Sequence, residues 1–344
     1  MKAAPAPRAV RSAGRLLHVD PSRGSVAHRR VTDLPDLLDR GDLVVVNDAA
    51  TLPASFRIPE LDAELRLVGH GREPDRFAAV LFGAGDYRTP TELRPEPARV
   101  EAGRTLKLAS DLAATVVDVD PELPRAVEVR FSTPGPSLIA ALYRHGRPIQ
   151  YAHVAAPLEL WDVQNRYAAR PWAFELPSAG YVVDGELLLR LRRRGVELAT
   201  LTHAAGISST GSDALDRRFP RPERYEIPER TARALSATRA RGGRVLAVGT
   251  TVVRALEASA AQHGSARAGR AEARLVLGPG FRPRVVSGVL SGMHEAGTSH
   301  FALLSAFAAG ELLEAALTAA ERAGYEQHEF GDSCVVWPSQ PAPL

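Results

Sequence analysis

The sequence predicts an α/β protein in which a largely parallel sheet domain is interrupted by an inserted all-β, barrel-like domain. Strand-like and helix-like segments alternate in the C-terminal half, as expected of a parallel sheet flanked by helices. Short strand-like pieces follow one another from about 54 to 135 with no convincing helix between them, which is typical of a small barrel or sandwich. A β-branched run at 43–46 precedes them and indicates a buried parallel strand.

These observations predict three segments in the 344-residue chain, which is long enough to bury two cores. Residues 1–53 form the first segment of the α/β domain, 54–147 the inserted β-barrel domain, and 148–344 the second segment of the α/β domain, with the active site. Both ends of the chain then build one sheet. We therefore expect the strand at 43–46 to lie in the same sheet as a strand at 244–248.

The periodicity after the insert predicts the individual elements of residues 148–344. Helices are expected where apolar residues recur every three or four positions between proline or threonine starts and glycine stops. Strands are expected at the short apolar runs between them. The predicted helices are 184–196, 228–243, the segment after Thr250 and one long helix at 298–324, and the predicted strands are 197–203, 244–248, 273–280 and 283–292.

Composition excludes some classes of protein and leaves others open. No apolar run approaches the roughly 18 residues that cross a bilayer, and we expect neither a signal peptide nor a membrane partner. Cys334 is the single cysteine, so an intramolecular disulfide is impossible and a cytoplasmic location is expected. The net charge is +3 and nearly every cation is arginine, which permits an RNA partner without indicating one.

The stretch "GGRVLAVGTTVVRALEASA" (242–260) predicts a ligand site. A buried strand ends in Gly249 and passes directly into a helix whose first residues are Thr250 and Thr251. The first amides of a helix carry partial positive charge and suit a carboxylate or another anion. Arg254 follows within one turn and is placed to face the same crevice. An ordinary capped helix with an exposed Arg254–Glu257 pair is the alternative.

The same stretch resembles a segment of the S-adenosylmethionine:tRNA ribosyltransferase-isomerase family, "GGRVIAVGTTSVRTLES". The likeness extends in one order from about residue 11 to 337. It includes "VQNRY" (163–167), "LPSAG" (176–180), "PERYEIP" (222–228), "LGPGFRPRVVSGVLSGMH" (277–294) and "FGDS" (330–333). The family fold, an α/β domain with an inserted β-barrel, agrees with the architecture predicted above from the residues.

The resemblance implies an enzyme that uses S-adenosylmethionine as a ribose donor. Family members transfer and isomerise its ribosyl unit onto the aminomethyl group of 7-aminomethyl-7-deazaguanine in tRNA, and they release adenine and methionine. S-adenosylmethionine is then a co-substrate, no further cofactor or metal is expected, and the histidines show no recognisable zinc spacing. Whether the chain is a monomer or a homodimer is left open.

Candidate site residues follow from the matching motifs. His294 stands at the histidine of the family's "NFH" and is the first candidate for proton transfer, with a structural histidine as the alternative. Glu226 is the second catalytic candidate, although "PERYEIPER" could equally be a solvated loop. The predicted substrate-binding residues are Gly249, Thr250, Thr251, Arg254, Glu223, Tyr225, Gln164, Asn165, Tyr167, Gly180 and Asp332.

Departures from the family pattern are concentrated in loops. The family's "NDTRVIPARL" loses both arginines, at Ala50 and Ser55, and the histidine of "TLHVGAGTF" is displaced by one place to His203. Because fold does not fix function, two alternatives stay open. One is an S-adenosylmethionine-using transferase, isomerase or lyase with a small-molecule acceptor, which the lost arginines favour. The other is a non-catalytic RNA-binding or regulatory relative.

Overall fold

The computed structural model describes residues 1–207, 209–216 and 222–338, so the last six residues of the predicted third segment lie outside it. The strands are β1 (Lys2–Ala3), β2 (Arg15–Asp20), β3 (Ser25–Arg30), β4 (Leu43–Asn47), β5 (Ala49–Thr51), β6 (Ser55–Ile58), β7 (Ala63–His70), β8 (Arg76–Phe82), β9 (Thr105–Ala109), β10 (Leu112–Val119), β11 (Ala126–Phe131), β12 (Arg170–Ala173), β13 (Glu197–His203), β14 (Glu223–Ile227), β15 (Val245–Val248), β16 (Gly269–Ala273), β17 (Gly288–Gly292), β18 (Glu326–Gln327) and β19 (Ser333–Val336).

The α-helices are α1 (Gly135–His145), α2 (Gly185–Arg193), α3 (Asp213–Asp216), α4 (Glu229–Ala240), α5 (Thr250–His263), α6 (Ser299–Leu304) and α7 (Gly310–Arg322). Single 3₁₀ turns lie at Arg11–Ala13, Pro59–Leu61, Thr91–Leu93, Leu160–Val163 and Ser178–Gly180, and a longer one at Val31–Leu37. Within the described residues, none of the helices has both the length and the apolar character needed to cross a membrane.

The main sheet has nine strands in the order β16-β14-β13-β4-β15-β17-β19-β2-β3. Its four central strands, β13, β4, β15 and β17, are parallel, and β4 lies directly beside β15. This confirms that the strand at 43–46 shares a sheet with the strand at 244–248. The prediction of a largely parallel sheet is wrong at the edges. There β13–β14, β14–β16, β17–β19 and the hairpin β2–β3 are antiparallel, while β19–β2 is parallel.

A second sheet contains six antiparallel strands in the order β6-β7-β8-β11-β10-β9, and its end strands β6 and β9 approach each other to form a nearly closed barrel. Its core is separate from those of the main sheet. The all-β description is wrong for 135–145, because α1 packs Leu138, Ala141 and Leu142 into the barrel core. The predicted boundaries after residues 53 and 147 stay a prediction.

The main sheet is covered on both faces. One apolar cluster joins the sheet to α4, α5 and α7, and a second joins its other face to α2 and the Val31–Leu37 turn. Alternate residues of the central strands enter opposite clusters, as the strand period of two requires. Val45 and Ala247 enter the first cluster, and Val44 and Leu246 enter the second. Burial on both faces explains the continuous apolar runs of β4 and β15.

Two predicted strands differ from those in the structure. The strand expected at 273–280 is wrong except for its first residue, because β16 covers Gly269–Ala273, and Arg254 donates to the carbonyl oxygens of Ala273 and Leu275 at 3.0 and 3.3 Å. The expected strand at 283–292 begins only at Gly288. The amides of residues 284–286 donate instead to the fully buried carboxylate of Glu257, each at 2.9 Å. The alternative of an exposed Arg254–Glu257 pair is therefore wrong, because each side chain binds loop backbone.

The long helix predicted at 298–324 is two helices, α6 and α7. Thr298 caps α6, as predicted, by accepting a hydrogen bond from the Phe301 amide at 3.2 Å. The helix then ends at Leu304. The amide and the hydroxyl of Ser305 both donate to the carbonyl of Ala302, at 3.2 and 2.6 Å, so the last turn closes on three residues and the regular helical ladder stops there.

Candidate active site

The carboxyl ends of the four central strands meet at one edge of the main sheet. β13 ends at His203, β4 at Asn47 and β15 just before Gly249, and His294 lies two residues beyond the end of β17. In open α/β sheets ligands bind in the crevice outside these carboxyl ends. The sheet topology therefore collects predicted site residues from distant regions of the sequence at one place.

Asn47 connects three of these strand ends. Its side-chain oxygen accepts hydrogen bonds from the amides of His203 at 2.9 Å and Ala49 at 3.1 Å. Its side-chain nitrogen donates to the His203 carbonyl at 3.0 Å and to the Thr251 hydroxyl at 3.4 Å. Asn47 is buried, so it fixes the relative positions of β4, β13 and the start of α5.

Gly249 makes the turn from β15 into α5 possible. Its φ angle is 96°, in a region that favours glycine, and a Cβ atom here would lie 3.3 Å from the Cβ of Ala179. The Gly249 amide donates to the carbonyl of Leu290 at 2.8 Å, which holds the turn against β17. Thr250 and Thr251 form the first turn of α5, so their backbone and hydroxyl groups stand at the edge of the crevice.

Arg254 and Glu223 form a largely buried ion pair behind this turn. Their side chains are only 8% and 13% exposed. Glu223 also accepts a hydrogen bond from the Gly206 amide at 2.8 Å, and its carboxylate lies 3.7 Å from Nε2 of His203. Burial raises the pKa of Glu223 despite the opposing charge of Arg254. Arg254 thus holds Glu223 in place, and it also binds the carbonyl oxygens of Ala273 and Leu275.

His203 is fully buried beside this pair. Burial and the charge of Arg254 lower its pKa well below the usual value, so the ring is neutral at physiological pH. Neither ring nitrogen has a hydrogen-bond partner among the described residues. Buried polar atoms are normally satisfied by protein, water or ligand. A neutral imidazole at the sheet edge is therefore available to a ligand or an ordered water.

His294 lies on the other side of the strand ends. Its Nε2 is 2.7 Å from the Ser291 hydroxyl, and its ring stacks on His300 with 4.7 Å between ring centroids. Burial, more than the charges of His300 and His328, lowers the pKa of His294 to about 3. The ring is therefore neutral at pH 7, and one of its ring nitrogens has a lone pair that can accept a proton.

Four further predicted residues form a second group, packed against the β5–β12 pair. Gln164 exchanges hydrogen bonds with the backbone of Thr51 at 2.8 and 2.9 Å, and Asn165 donates to the Pro177 carbonyl at 3.0 Å. Gly180 lies directly beneath Tyr167 and Asn165. The Tyr167 hydroxyl and the Asn165 side-chain oxygen are buried without a hydrogen-bond partner in the described ranges of the chain. These atoms are further candidates for ligand contact.

We expect Gly180→Ala to displace Tyr167. A Cβ atom at this position would lie 2.0 Å from the Tyr167 hydroxyl and 2.7 Å from Nδ2 of Asn165, far inside van der Waals contact. Overpacking of this kind costs about 1–3 kcal/mol of unfolding free energy, measurable by chemical denaturation. Gly185→Ala is the matched control, because no atom lies within 4 Å of its Cβ. Addition of Tyr167→Phe should recover some of the loss, and no recovery would contradict the packing argument.

The structure places three predicted residues elsewhere. Glu226 lies between Arg170 and Arg270, at 2.7 and 2.6 Å, and its hydrogen bond from Arg170 is the main cause that lowers its pKa. Both arginines contact Oε2 of Glu226, so this oxygen is engaged within the protein, and a catalytic role for Glu226 stays a prediction. Tyr225 is buried in the core under α5.

Asp332, the third, is a buried structural carboxylate. It accepts hydrogen bonds from Arg8 at 2.9 Å and from the Glu326 amide at 3.0 Å. It also accepts two from Arg15, from the backbone at 2.8 Å and from the side chain at 3.0 Å. These bonds join the N-terminal segment to the end of the chain and occupy both carboxylate oxygens. These contacts support a structural role for Asp332, and its predicted ligand contact stays a prediction.

Comparison with known proteins identifies the family of the chain. A family model described as "Queuosine biosynthesis protein" matches residues 1–336. The chain belongs to this family. The S-adenosylmethionine:tRNA ribosyltransferase-isomerase of Gloeobacter violaceus is 35% identical over 96% of this chain and 91% of its own length. The enzyme of the same name from Sorangium cellulosum is 34% identical over 95% and 92%. The crystal structure of the S-adenosylmethionine tRNA ribosyltransferase from Thermotoga maritima aligns with a TM-score of 0.53 at 22% identity, covering 97% of this chain and 95% of that one, which supports the fold.

Position 55 clarifies one departure from the queuosine biosynthesis family pattern. The Ser55 hydroxyl donates at 2.7 Å to Glu64, a buried carboxylate that also pairs with Arg66 and Arg94. Burial raises the pKa of Glu64, but the two arginines outweigh it and lower the pKa to about 2. An arginine at position 55 would therefore face a carboxylate inside the protein. The absence of an arginine at this position therefore does not by itself favour a small-molecule acceptor.

Position 202 clarifies a second departure from the family pattern. Thr202 stands where the resemblance places the family histidine, and its hydroxyl donates to Asp48 at 2.6 Å. Successive residues of a strand point to opposite faces, so His203 projects to the other side of β13, toward Glu223. The pattern of strand ends could have singled out Asn47 and His203 from sequence, because His203 ends the strand predicted at 197–203 and Asn47 directly follows the one predicted at 43–46. Nothing in the sequence pairs Glu223 with Arg254.

Proposed function

We propose that this chain is an S-adenosylmethionine-dependent tRNA ribosyltransferase-isomerase. The main support is its match to relatives of that name along more than nine-tenths of both chains. The second support is the crevice at the carboxyl ends of the central strands, where Gly249 and His294 of the matching motifs lie. The proposed reaction transfers and isomerises the ribosyl unit of S-adenosylmethionine onto 7-aminomethyl-7-deazaguanine in tRNA. Adenine and methionine are the products released.

In this proposal the start of α5 binds the methionine carboxylate. The first amides of the helix and the hydroxyls of Thr250 and Thr251 face the crevice, and they favour a negative charge there. Glu223 provides the carboxylate beside His203, and it suits the methionine ammonium or the ribose hydroxyls. Arg254 is a positioning residue that keeps Glu223 in this orientation.

His294 is the proposed proton acceptor. The sulfonium makes the adjacent C5′ hydrogens acidic, so a neutral base within reach can remove one of them and start the rearrangement. The hydrogen bond between Ser291 and Nε2 of His294 orients the ring. The removed proton resides on the imidazole, where it is available to the departing adenine. His203 is the second neutral imidazole at the sheet edge and provides a contact for the ribose.

The pH dependence follows from the lowered pKa of His294. A base is active above its pKa, and here that value is about 3, so the active form is already present throughout the range from pH 5 to 8. We expect no loss of adenine release between pH 8 and pH 5 that is due to His294. The rate profiles of wild type and His294→Gln should therefore have the same shape. An acid limb near pH 6.5 found only in wild type would contradict the assignment.

A small-molecule acceptor is the second candidate function, and only position 50 still favours it. Ala50 lies half-buried in β5 opposite Pro171 and offers no charge to a phosphate. The test is incubation with S-adenosylmethionine with and without tRNA that bears the deazaguanine, followed by mass spectrometry of adenine and methionine. Product release that depends on this tRNA supports the proposal. Equal release without tRNA, or with a small amine, supports the second candidate instead.

A further inference from the structure

Outside the candidate active site, two histidines and a glutamate converge on one point of the surface. Nε2 of His153 lies 2.8 Å from Oε2 of Glu329, and the rings of His153 and His328 stack with 4.6 Å between centroids. One ligand atom from each of the three residues lies within 4.8 Å of the others. His153 and Glu329 are 176 positions apart in the sequence, so no spacing pattern could reveal the group.

Both loops that carry these side chains are held by hydrogen bonds. His153 lies in a tight turn closed by the bond from the Val154 amide to the Tyr151 carbonyl at 3.1 Å. Gln150 supports this loop by donating to the carbonyls of Val154 and Ala156, each at 2.7 Å. These hydrogen bonds therefore hold the loop that carries His153.

The opposite loop joins β18 to β19. The Gly331 amide donates to the His328 carbonyl at 3.0 Å, and the Asp332 amide donates to the Glu326 carbonyl at 2.9 Å. His328 has a φ angle of 68°, which is uncommon for a residue other than glycine. This backbone conformation sets its ring against that of His153.

We propose that His153, His328 and Glu329 form a binding site for a divalent transition-metal ion of the zinc class. Two imidazole nitrogens and one carboxylate are a donor set that zinc uses when it keeps an open coordination position. In tetrahedral geometry with bonds of about 2.0–2.1 Å, neighbouring ligand atoms are roughly 3.3 Å apart. His153 and Glu329 therefore need to separate by about half an ångström. The metal takes the lone pair of Nε2 of His153, and the proton of the present hydrogen bond moves through solvent to Nδ1, so that the ligating ring stays a neutral imidazole.

The site is independent of the proposed reaction and would act on the structure. A bound ion would fasten the loop after α1 to the turn between β18 and β19. His328 is exposed, so an ion can reach the group from solvent.

Calorimetry with Zn²⁺ on the purified, chelator-treated full chain tests this proposal, with the visible absorption of Co²⁺ as a second probe. We expect one Zn²⁺ per chain, a higher melting temperature with Zn²⁺, and Co²⁺ bands of tetrahedral intensity. Glu329→Gln and His328→Ala should each weaken Zn²⁺ binding by at least roughly 10–100-fold, the scale known for loss of a supporting partner.

The matched control is His145→Ala. His145 also pairs with a carboxylate at the surface, at 2.6 Å from Asp111, but the described residues provide no second imidazole there. This variant should bind Zn²⁺ as wild type does. Wild type that binds no stoichiometric Zn²⁺ would overturn the proposal, and so would Glu329→Gln or His328→Ala variants, folded by circular dichroism, that bind it with unchanged affinity.

Discussion

Replacement of His294 by alanine is expected to slow adenine release by roughly 10²–10⁴-fold, the usual contribution of a general base. The affinity for S-adenosylmethionine should change little, because in our proposal the methionine carboxylate is bound by the start of α5 and not by this imidazole. The rate is measured in single turnovers with saturating S-adenosylmethionine and deazaguanine-bearing tRNA. Affinity is measured separately by calorimetry.

Two variants make this result interpretable. His294→Gln retains a polar group toward the Ser291 hydroxyl but lacks a basic nitrogen, so it should be as slow as His294→Ala. His263→Ala removes an exposed histidine at the end of α5 and should be as fast as wild type. A folded His294→Ala protein that releases adenine at the wild-type rate would show that this histidine has a structural role only.

Arg254→Met is expected to destabilise the fold by about 3–5 kcal/mol. The change leaves the largely buried carboxylate of Glu223 without its cation and the carbonyl oxygens of Ala273 and Leu275 without this donor. Chemical denaturation measures the loss. Arg233→Met is the matched control, because its pair with Glu229 is exposed on both sides and such pairs contribute about 0.3–0.5 kcal/mol.

The double variant Arg254→Met/Glu223→Gln separates structure from binding. Removing both charges should recover some of the stability, since partners in one buried network are not additive. If Arg254 acts through Glu223, Glu223→Gln alone should weaken S-adenosylmethionine binding as much as the double variant does. A double variant that binds distinctly more weakly than Glu223→Gln would instead place Arg254 in direct contact with the ligand.

The centre of the fold was predictable because local and global signals agree there. β13 has the predicted bounds, and β4 and β15 read as buried strands because both their faces pack against helices. The outer strands were not predictable in direction, since β14 and β16 pair by tertiary contacts that leave no periodic signal. The errors in the strands predicted at 273–280 and 283–292 had a similar cause, since tertiary contacts again leave no periodic signal. Arg254 and Glu257 take up backbone groups about 20 to 29 residues away.

The candidate site also contains residues whose roles were predictable from the sequence and residues whose roles were not. Gly249 was predictable, because a strand that turns at once into a helix needs a residue of free φ at that point. The role of Glu223 was not, because its partner Arg254 lies 31 positions along the chain and is aligned only by the packing of β14 against α5. Asp332 shows the reverse case. Its motif position indicated a polar contact, and the fold directs that contact to Arg8 and Arg15 within the protein.

Transfer of labelled ribose tests the central claim most directly. S-adenosylmethionine labelled with ¹³C in its ribose is incubated with the protein and with tRNA that carries 7-aminomethyl-7-deazaguanine. The tRNA is then digested to nucleosides and analysed by mass spectrometry. We predict that the deazaguanine nucleoside gains the labelled five-carbon unit, with one adenine and one methionine released for each transfer. A nucleoside that stays unlabelled while S-adenosylmethionine is consumed, or that gains only a methyl group, would contradict this account.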